Sequence, residues 1–196
     1  MPPTKSELRT AILSARRAVT AELRHAEADD LRERLAGLAR PGDTMCAYVP
    51  VGSEPGSPAM LDALVAAGAR VLLPVAREDE AGLPLPLHWG EYRGELVAAR
   101  YGLREPPAPW LPAEAISTAS MVVVPALAVD RAGVRLGRGA GFYDRSLALA
   151  DSAARLIAMV RDDEVVDHLP GEPHDVPMTH ALTPGRGLLE LGANAS

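Results

Sequence analysis

The N-terminal part of the chain carries apolar positions at the spacing of two amphipathic helices. The first helix is predicted from Lys5 to about Val19, and Thr4 followed by Glu7 is the signature of a capping box. A second helix is predicted from Ala21 to Ala39, with Thr20 as its N-cap. The positions predicted to face inward are Leu8, Ile12, Ala15 and Val19 on the first helix, and Leu23, Leu31, Leu35 and Leu38 on the second.

Short continuous apolar runs replace this helical spacing further along the chain. They predict buried strands at Met45–Val49, Val71–Val75, Met121–Val124 and Leu156–Val160. A predicted helix from Pro58 to Ala67 joins the first two strands, and such a βαβ crossover requires parallel strands with helices on both faces. We therefore predict a single α/β domain over residues 1–196, with a Rossmann-like, open, mostly parallel sheet.

The segments between these runs are less regular. The six prolines from Pro84 to Pro112 predict irregular excursions, with an edge strand at Leu85–Trp89. After the third predicted strand, a long loop precedes a helix from Phe142 to about Ala150. The tail Pro170–Pro184 is rich in Pro, His and Gly, and we predict that it is a loop leading to a last short strand.

Composition narrows the classes of function. The chain is 47% hydrophobic and has a net charge of −6, so it lacks the positive field that nucleic-acid binding needs. The polar N-terminus is unlike a signal peptide, and the most apolar stretch, Met121–Val129, is too short to span a bilayer. The only cysteine, Cys46, lies in an apolar run and is interpreted as an inert buried thiol in a reducing compartment. We expect a cytoplasmic protein that acts on small molecules, with neither membrane nor nucleic acid as a partner. The sequence leaves the oligomeric state open, and a monomer is favoured.

Three alternating glycines mark the segment Arg135–Arg145, which precedes the predicted helix at Phe142. Glycine lets backbone amides approach a ligand closely, and a helix N-terminus attracts anions. Together with Arg135 and Arg138, these amides form a candidate phosphate cradle. The spacing fits neither the Rossmann fingerprint nor a Walker A loop, and a flexible surface loop is the alternative interpretation.

Two carboxylates are candidates for a metal site. Asp144 stands in the first turn of the predicted helix, where a negative charge is favoured, and beside a phosphate it would suit Mg²⁺. Asp175 has no helical period or cap to explain it, although a solvated loop residue is the commoner case.

Basic residues follow one side of the first helix. Lys5, Arg9 and Arg16 fall within roughly 40° of one another at 3.6 residues per turn, and Ile12 lies between them. This mixture indicates a pocket rim, with a solvated basic face as the alternative. Lys5 is the only lysine among 20 basic residues, which suggests a chemical role, although a frayed terminal residue fits as well.

These segments together resemble the 5-formyltetrahydrofolate cyclo-ligase family, also called methenyltetrahydrofolate synthetase. Lys5–Arg9 matches the family's Lys-x-x-Leu-Arg helix, and Arg135–Arg145 matches its hallmark glycine segment. Glu54–Ser57, Gly102–Pro106 and His174–Val176 are similar to its Glu-x-x-Thr, Gly-x-x-Glu-Pro and His-Asp-Val motifs. The motifs keep the family's order over nearly the whole chain.

Three positions depart from the family pattern. Phe142 replaces the first tyrosine of the hallmark, and Ala140 stands where some members carry lysine, which leaves the mobile charge of the loop to Arg138. Thr179 follows where an acidic residue is often found, which leaves the metal shell beyond Asp175 open.

The resemblance implies a ligase that converts 5-formyltetrahydrofolate and ATP into 5,10-methenyltetrahydrofolate, ADP and phosphate through a phosphorylated formyl group, with Mg²⁺. The residues implied for ATP are Lys5, Arg9, Arg135, Leu136, Gly137, Arg138, Gly139, Ala140, Gly141, Phe142 and Tyr143, with Lys5 and Arg138 as the catalytic ones. The residues implied for Mg²⁺ are Asp144 and Asp175. Those implied for the folate are Glu54 at the pterin N–H edge and Val49 in the wall, with Tyr143, Trp89 or Trp110 as further wall candidates.

Two other functions fit the same fold and loop. A phosphosugar isomerase or CoA-transferase relative would use the loop for a substrate phosphate and would not consume ATP. A non-catalytic module would bind nucleotide or folate without turnover.

Overall fold

The computed structural model describes residues 2–192. The helices within this range are α1 (Lys5–Ala18), α2 (Ala21–Leu38), α3 (Ala59–Ala66) and α4 (Phe142–Leu147). The strands are β1 (Thr44–Cys46), β2 (Arg70–Val75), β3 (His88–Glu91), β4 (Val97–Ala98), β5 (Arg104–Glu105), β6 (Met121–Pro125), β7 (Ala128–Asp130), β8 (Arg135–Leu136), β9 (Arg155–Met159), β10 (Val165–Val166), β11 (His180–Thr183) and β12 (Gly187–Glu190). Short 3₁₀ turns cover Arg100–Gly102, Ala113–Thr118 and Asp162–Glu164.

A seven-stranded sheet with the order β12-β11-β9-β6-β1-β2-β3 organises the fold. Its five inner strands are parallel, and the edge strands β3 and β12 are antiparallel to their neighbours. The predicted mostly parallel α/β sheet is therefore confirmed, with β6 at its centre, as its continuous apolar run indicated.

Alternation along the inner strands builds a core on each face of the sheet, because successive side chains point to opposite sides. On one face, Met121 and Val123 of β6 pack with the buried side chains of α2 and α3. On the other face, Val122 and Val124 pack with α4 and the 3₁₀ turn Ala113–Thr118. Helical elements thus cover both faces, as the βαβ crossover required.

Helix α1 packs on a smaller sheet with the order β10-β7-β8. The apolar residues Leu8, Ile12 and Leu13 of α1 contact a cluster that includes Leu127 and Leu136. The predicted capping box is present: Thr4 Oγ1 accepts from the Glu7 amide at 3.2 Å, and the Thr4 amide donates to Glu7 Oε2 at 2.7 Å. The helix that carries Lys5 and Arg9 is therefore mounted beside the sheet that carries the glycine segment.

Several predictions about local structure were wrong. Leu23 is 46% exposed, and Ala28 takes the inward position, because at about 100° per residue Leu23 lies about 120° around the helix from Leu35. The tail predicted as a loop contains β11, a parallel strand of the main sheet. The long loop after β6 contains β7 and β8, whose few residues gave no detectable period.

The boundaries of other elements shift by a few residues. Strand β1 ends at Cys46 rather than Val49, and α4 ends at Leu147 rather than Ala150. The edge strand predicted at Leu85–Trp89 is found at His88–Glu91. Within residues 2–192, no helix combines the length and apolar character that crossing a bilayer requires.

Gly133, in the turn between β7 and β8, offers a test of how closely the C-terminal segment packs. Its φ is +93°, and a Cβ there would collide with the carbonyl oxygen of Met178. Gly94 has almost the same φ of +92° with no atom within 4 Å of an added Cβ, so it is a matched control for backbone strain alone. We expect Gly94→Ala to lower the free energy of unfolding by about 1–2 kcal/mol and Gly133→Ala to lower it by about 2 kcal/mol more, both measured by urea unfolding. Equal losses in the two variants would show that the Met178 contact yields without cost.

Candidate active site

A cavity of about 590 Å³ opens beyond the carboxyl ends of β1, β2 and β6. This is the edge where open parallel sheets bind ligands, because their loops converge there. Every residue implied by the family resemblance for ATP, Mg²⁺ or folate lines it, apart from the candidate tryptophans. The lining thus includes Lys5, Arg9, Val49, Glu54, Arg135, Leu136, Gly137, Arg138, Gly139, Ala140, Gly141, Phe142, Tyr143, Asp144 and Asp175.

The glycine segment runs from β8 to α4 along one side of the cavity. Gly139 and Gly141 adopt left-handed φ values of +102° and +82°, which only glycine takes without strain. Gly141 is the N-cap of α4, so its left-handed conformation directly precedes the first helical residue, Phe142. Glycine at this point therefore has a backbone role in addition to any role in binding a ligand.

Helix α1 meets the glycine segment directly. Arg9 Nε donates to the carbonyl oxygen of Gly137 at 2.8 Å, and this contact is partly buried. The two segments that the sequence separates by 128 positions therefore form one wall of the cavity.

Lys5 faces a turn near the C-terminus. Its Nζ lies 3.1 Å from Glu172 Oε1 and 3.9 Å from Asp175 Oδ2, and 29% of the side chain is exposed. The same turn brings His174 to Glu172 and Asp175, so that their ligand atoms lie within 4.8 Å of one another. Lys5 is thus an anchored cation rather than a frayed terminal residue.

The arginines of the glycine segment have different surroundings. Arg135 is nearly buried, donates to the Pro125 carbonyl at 3.0 Å, and pairs with Asp144 at 3.1 Å. Arg138 is about half exposed and pairs with Glu54 at 3.2 Å. Arg135 therefore shapes the loop, while Arg138 is the more mobile charge.

Glu54 sits at the inner end of the cavity. Its Oε2 accepts from the Val51 amide at 3.0 Å, and its side chain is only 8% exposed. Burial raises the pKa of the Glu54 carboxyl, although the Val51 amide and Arg138 oppose that rise. Burial raises the pKa of the Tyr143 hydroxyl, and the charge of Glu54 adds to that rise, so the hydroxyl stays protonated.

Of the three aromatic residues proposed for the pocket wall, only Tyr143 lines the cavity. Tyr143 lines the cavity beside Arg135, whose guanidinium carbon lies 5.6 Å from the ring centroid. Trp89 is fully buried in the core, and Trp110 lies under the Arg77 guanidinium and donates to the Pro106 carbonyl. Neither tryptophan is among the cavity-lining residues, because packing within the sheet and the proline-rich excursion occupies both.

The two candidate metal ligands line the same cavity from different elements. Asp144, at the start of α4, is 46% exposed and carries the Arg135 pair on Oδ1. Asp175 accepts from the Glu172 amide through Oδ2 at 2.8 Å. Thr179 is turned into the sheet, where its hydroxyl bonds with the backbone of Leu156, so it takes no part in this site.

Arg16, which the sequence placed with Lys5 and Arg9 at a pocket rim, lines the cavity, but it is buried and pairs with Glu164 on the 3₁₀ turn Asp162–Glu164. Sequence reasoning missed other lining residues. Tyr48 follows β1, and Tyr101 stands at the tip of the β4–β5 hairpin. Tyr101 directly precedes the Gly102–Pro106 motif, which was the one signal that could have found it.

Comparison with known sequences shows which family the chain is similar to. The family model described as the 5-formyltetrahydrofolate cyclo-ligase family matches residues 2–184. A protein named 5-formyltetrahydrofolate cyclo-ligase from Mycolicibacterium smegmatis is 64% identical over 191 residues, covering 97% of this chain and 98% of its own length. One of the same name from Escherichia coli K12 is 31% identical over 144 residues, covering 73% of this chain and 79% of its own.

Two solved structures share the fold. The NMR structure of a 5,10-methenyltetrahydrofolate synthetase from Aquifex aeolicus superposes with a TM-score of 0.76 at 22% identity, covering 98% of this chain and 95% of that one. A 5,10-methenyltetrahydrofolate synthetase from Mycoplasma pneumoniae gives a TM-score of 0.66 at 18% identity, covering 90% and 96%. Because the family model matches residues 2–184 of the chain's 196 residues, this chain belongs to the 5-formyltetrahydrofolate cyclo-ligase family.

Proposed function

We propose that the protein catalyses the ATP- and Mg²⁺-dependent cyclisation of 5-formyltetrahydrofolate to 5,10-methenyltetrahydrofolate, releasing ADP and phosphate. The observation that carries the proposal is the convergence of α1 and the glycine segment on one cavity, through the bond from Arg9 to Gly137. The cavity lining combines cations and backbone amides from α1 and the glycine segment with apolar side chains such as Val49 and Leu87 and with the buried carboxylate of Glu54. A phosphate chain requires the first set, and a folate ring requires the second.

The chemistry explains why both substrates must share one cavity. A formamide oxygen is a poor leaving group, so the γ-phosphate is transferred to it and forms an imidoyl phosphate. The folate N10 attacks the formyl carbon, the C–O bond to phosphate breaks, and the N10 proton leaves to water. The protein has to align two substrates and stabilise charge on a moving phosphoryl group.

Lys5 is the residue best suited to follow that phosphoryl group. An ammonium has rotatable donors on a flexible stem, whereas a guanidinium is a planar fork with fixed directions. In this role Arg9 assists Lys5 from one turn further along α1, and Arg138 supplies charge from the loop. The amides of Gly137, Gly139 and Gly141 serve the phosphates.

Mg²⁺ fits the two aspartates that border the cavity. Carboxylate oxygens are its preferred protein ligands, and it is usually bound by one or two carboxylates together with substrate phosphates. Asp144 lines the cavity from the start of α4, and Asp175 lines it beside Lys5, so these two carboxylates would hold the ion in that manner. When bound, the ion neutralises phosphate charge.

Glu54 is assigned to the pterin. The ring presents adjacent N–H groups, and a carboxylate whose own oxygens are fixed by Val51 and Arg138 is a well-oriented acceptor for them. Val49 and Tyr143 line the cavity with it and supply apolar contact to the ring.

A direct assay tests the proposal. The protein is mixed with 5-formyltetrahydrofolate and Mg-ATP, and the absorbance of the methenyl product is followed together with ADP release. Stoichiometric formation of both is expected. An isomerase or transferase relative would form neither, and a non-catalytic module would bind without turnover; either result would overturn the proposal.

Lys5→Arg keeps the charge and removes the rotatable ammonium. We expect it to lose about 2–4 kcal/mol of transition-state stabilisation, seen as a fall in kcat. The exposed neighbour Arg17, changed to Lys, is the control for a charge-conserving exchange on α1. Turnover of Lys5→Arg within about twofold of the wild type would remove this role from Lys5.

Asp144→Asn should raise the Mg²⁺ concentration needed for half-maximal activity sharply without unfolding the protein, because an amide is a weaker ligand than a carboxylate. Asp167→Asn is a matched control, since Asp167 also pairs with an arginine, Arg131, but outside the cavity lining. Superimposable metal titrations for Asp144→Asn and the wild type would leave Asp144 as a helix-start residue only.

Glu54→Gln should change the pH dependence of stability. With its folded pKa raised above the ordinary 4.5, Glu54 binds protons more readily in the folded state, so its contribution to stability falls as pH rises from 4.5 through the folded pKa. The free energy of unfolding should therefore fall less over this window in Glu54→Gln than in the wild type, by urea titration at several pH values. The exposed Glu95, changed to Gln, should leave the slope unchanged; an identical slope in Glu54→Gln would contradict the burial effect.

A further inference from the structure

Arg16 is a buried cation beside the cavity, and its side chain is only 1% exposed. One edge of its guanidinium is fully engaged: Nε donates to Glu164 Oε1 at 2.7 Å, and Nη2 donates to Glu164 Oε2 at 2.8 Å. The second hydrogen of Nη2 reaches the carbonyl oxygen of Ala126 at 2.7 Å. Within residues 2–192, Nη1 has no acceptor.

The direction of Nη1 follows from the shape of the guanidinium. The group is planar with its donors in a fixed fork, so one N–H of Nη1 points parallel to the N–H of Nη2 that reaches Ala126. Ala126 and Arg16 both line the cavity, next to Tyr48. The free donor therefore lies beside the Ala126 carbonyl, on a residue that lines the cavity.

Leaving a buried donor without an acceptor costs free energy of folding, and the cost is larger for a charged donor than for a neutral one. The ion pair with Glu164 accounts for one edge of the guanidinium and leaves the other with a single acceptor. Within the described part of the chain, Trp89 Nε1 in the core is likewise buried and unpartnered, so the lack of an acceptor does not by itself assign a ligand. What distinguishes Arg16 is that it lines the cavity.

Glu54 lines the same cavity as Arg16, and both residues also line a smaller adjacent cavity of about 310 Å³. The positive charge of Arg16 is close enough to oppose the burial-induced rise in the pKa of both Glu54 and Tyr48. A buried acceptor and a buried donor therefore stand together there. The pterin edge has the complementary pattern, with N–H donors on the 2-amino group and N3 next to the 4-oxo acceptor.

We propose that Arg16 is a further substrate-binding residue, whose Nη1 donates to the 4-oxo oxygen of the pterin while Glu54 accepts from the adjacent N–H groups. This inference rests on the proposed function, because it takes the folate ring as the occupant of the Glu54 end. Arg16 then selects for a ring with an acceptor at that position.

The test measures the affinity for 5-formyltetrahydrofolate by calorimetry in the absence of nucleotide. Arg16→Lys keeps the charge opposite Glu164 and removes Nη1, so we expect about 10–100-fold weaker folate binding, typical of a lost charge-assisted bond. Affinity for Mg-ATP should stay within about twofold of the wild type. The control Arg17→Lys should bind folate like the wild type.

A structural role predicts a different pattern. Glu164→Gln weakens the anchor of Arg16 but retains Nη1, so it should lower the Tm and keep folate affinity close to that of the wild type. If Glu164→Gln loses folate affinity as much as Arg16→Lys does, Arg16 acts only through the fold and the proposal fails. Unchanged folate affinity in folded Arg16→Lys overturns it as well.

Two further measurements test the proposal if Arg16→Lys does not fold. The double variant R16M/E164Q leaves no unpaired buried charge and should show the same loss of folate affinity. The 4-amino analogue of 5-formyltetrahydrofolate turns a donor toward Arg16 and also lacks the N3–H that faces Glu54, so the wild type should bind it about tenfold more weakly or worse. The ratio of the two affinities should shrink in Arg16→Lys or, if that variant does not fold, in R16M/E164Q, and an unchanged ratio overturns the proposal. A wild type that does not bind 5-formyltetrahydrofolate would instead refute the proposed function.

Discussion

The attachment of α1 to the layer that carries the glycine segment is the constraint on which the cavity depends. Apolar residues between Leu8 and Leu13 pack α1 against β7 and β8. The buried pair of Arg16 with Glu164 fixes its C-terminal half, and the bond from Arg9 to Gly137 fixes the middle. Because these contacts flank the cavity, the position of Lys5 follows from the rigidity of the helix rather than from any local loop.

The cavity holds its charges in pairs before any substrate binds. Lys5 faces Glu172 and Asp175, Arg135 faces Asp144, and Arg138 faces Glu54. Such pairing keeps a set of cations in a protein of net charge −6 from repelling one another. It also means that an anionic ligand must compete with carboxylates, so the gain from binding phosphate is smaller than the number of cations suggests.

The sequence predicted well those features that depend on local pattern. The capping box of α1, the central β6 and the glycine turn before α4 each follow from residues close together in the chain. The resemblance also brought together Lys5 and the glycine segment, which no local period could have joined. The resemblance, rather than any local pattern, is why residues predicted to form one site are found in one cavity lining.

What the sequence could not show depends on contacts between distant segments. Strand β11 is only four residues long, and it is a strand because β9 offers a parallel edge. Trp89 and Trp110 are of a residue type that often lines ligand pockets. Trp89 is instead packed in the core, and Trp110 is held in the proline-rich excursion by its bond to Pro106. The burial of Arg16 required Glu164, a partner 148 positions away, which no helical face on α1 reveals.

The glycines of the glycine segment have a second structural role that the sequence argument did not include. Close approach of amides to a ligand was the physical argument for its glycines, yet each glycine also makes room for an arginine. A Cβ at Gly137 would lie 2.8 Å from Arg135 Nη1, and one at Gly141 would lie 2.9 Å from Arg145 Nη1. At Gly139 it would press on the Arg9 guanidinium at 3.3 Å. Since Arg9 is the contact that joins α1 to this loop, a side chain at Gly139 would disturb the cavity wall even before it met a phosphate.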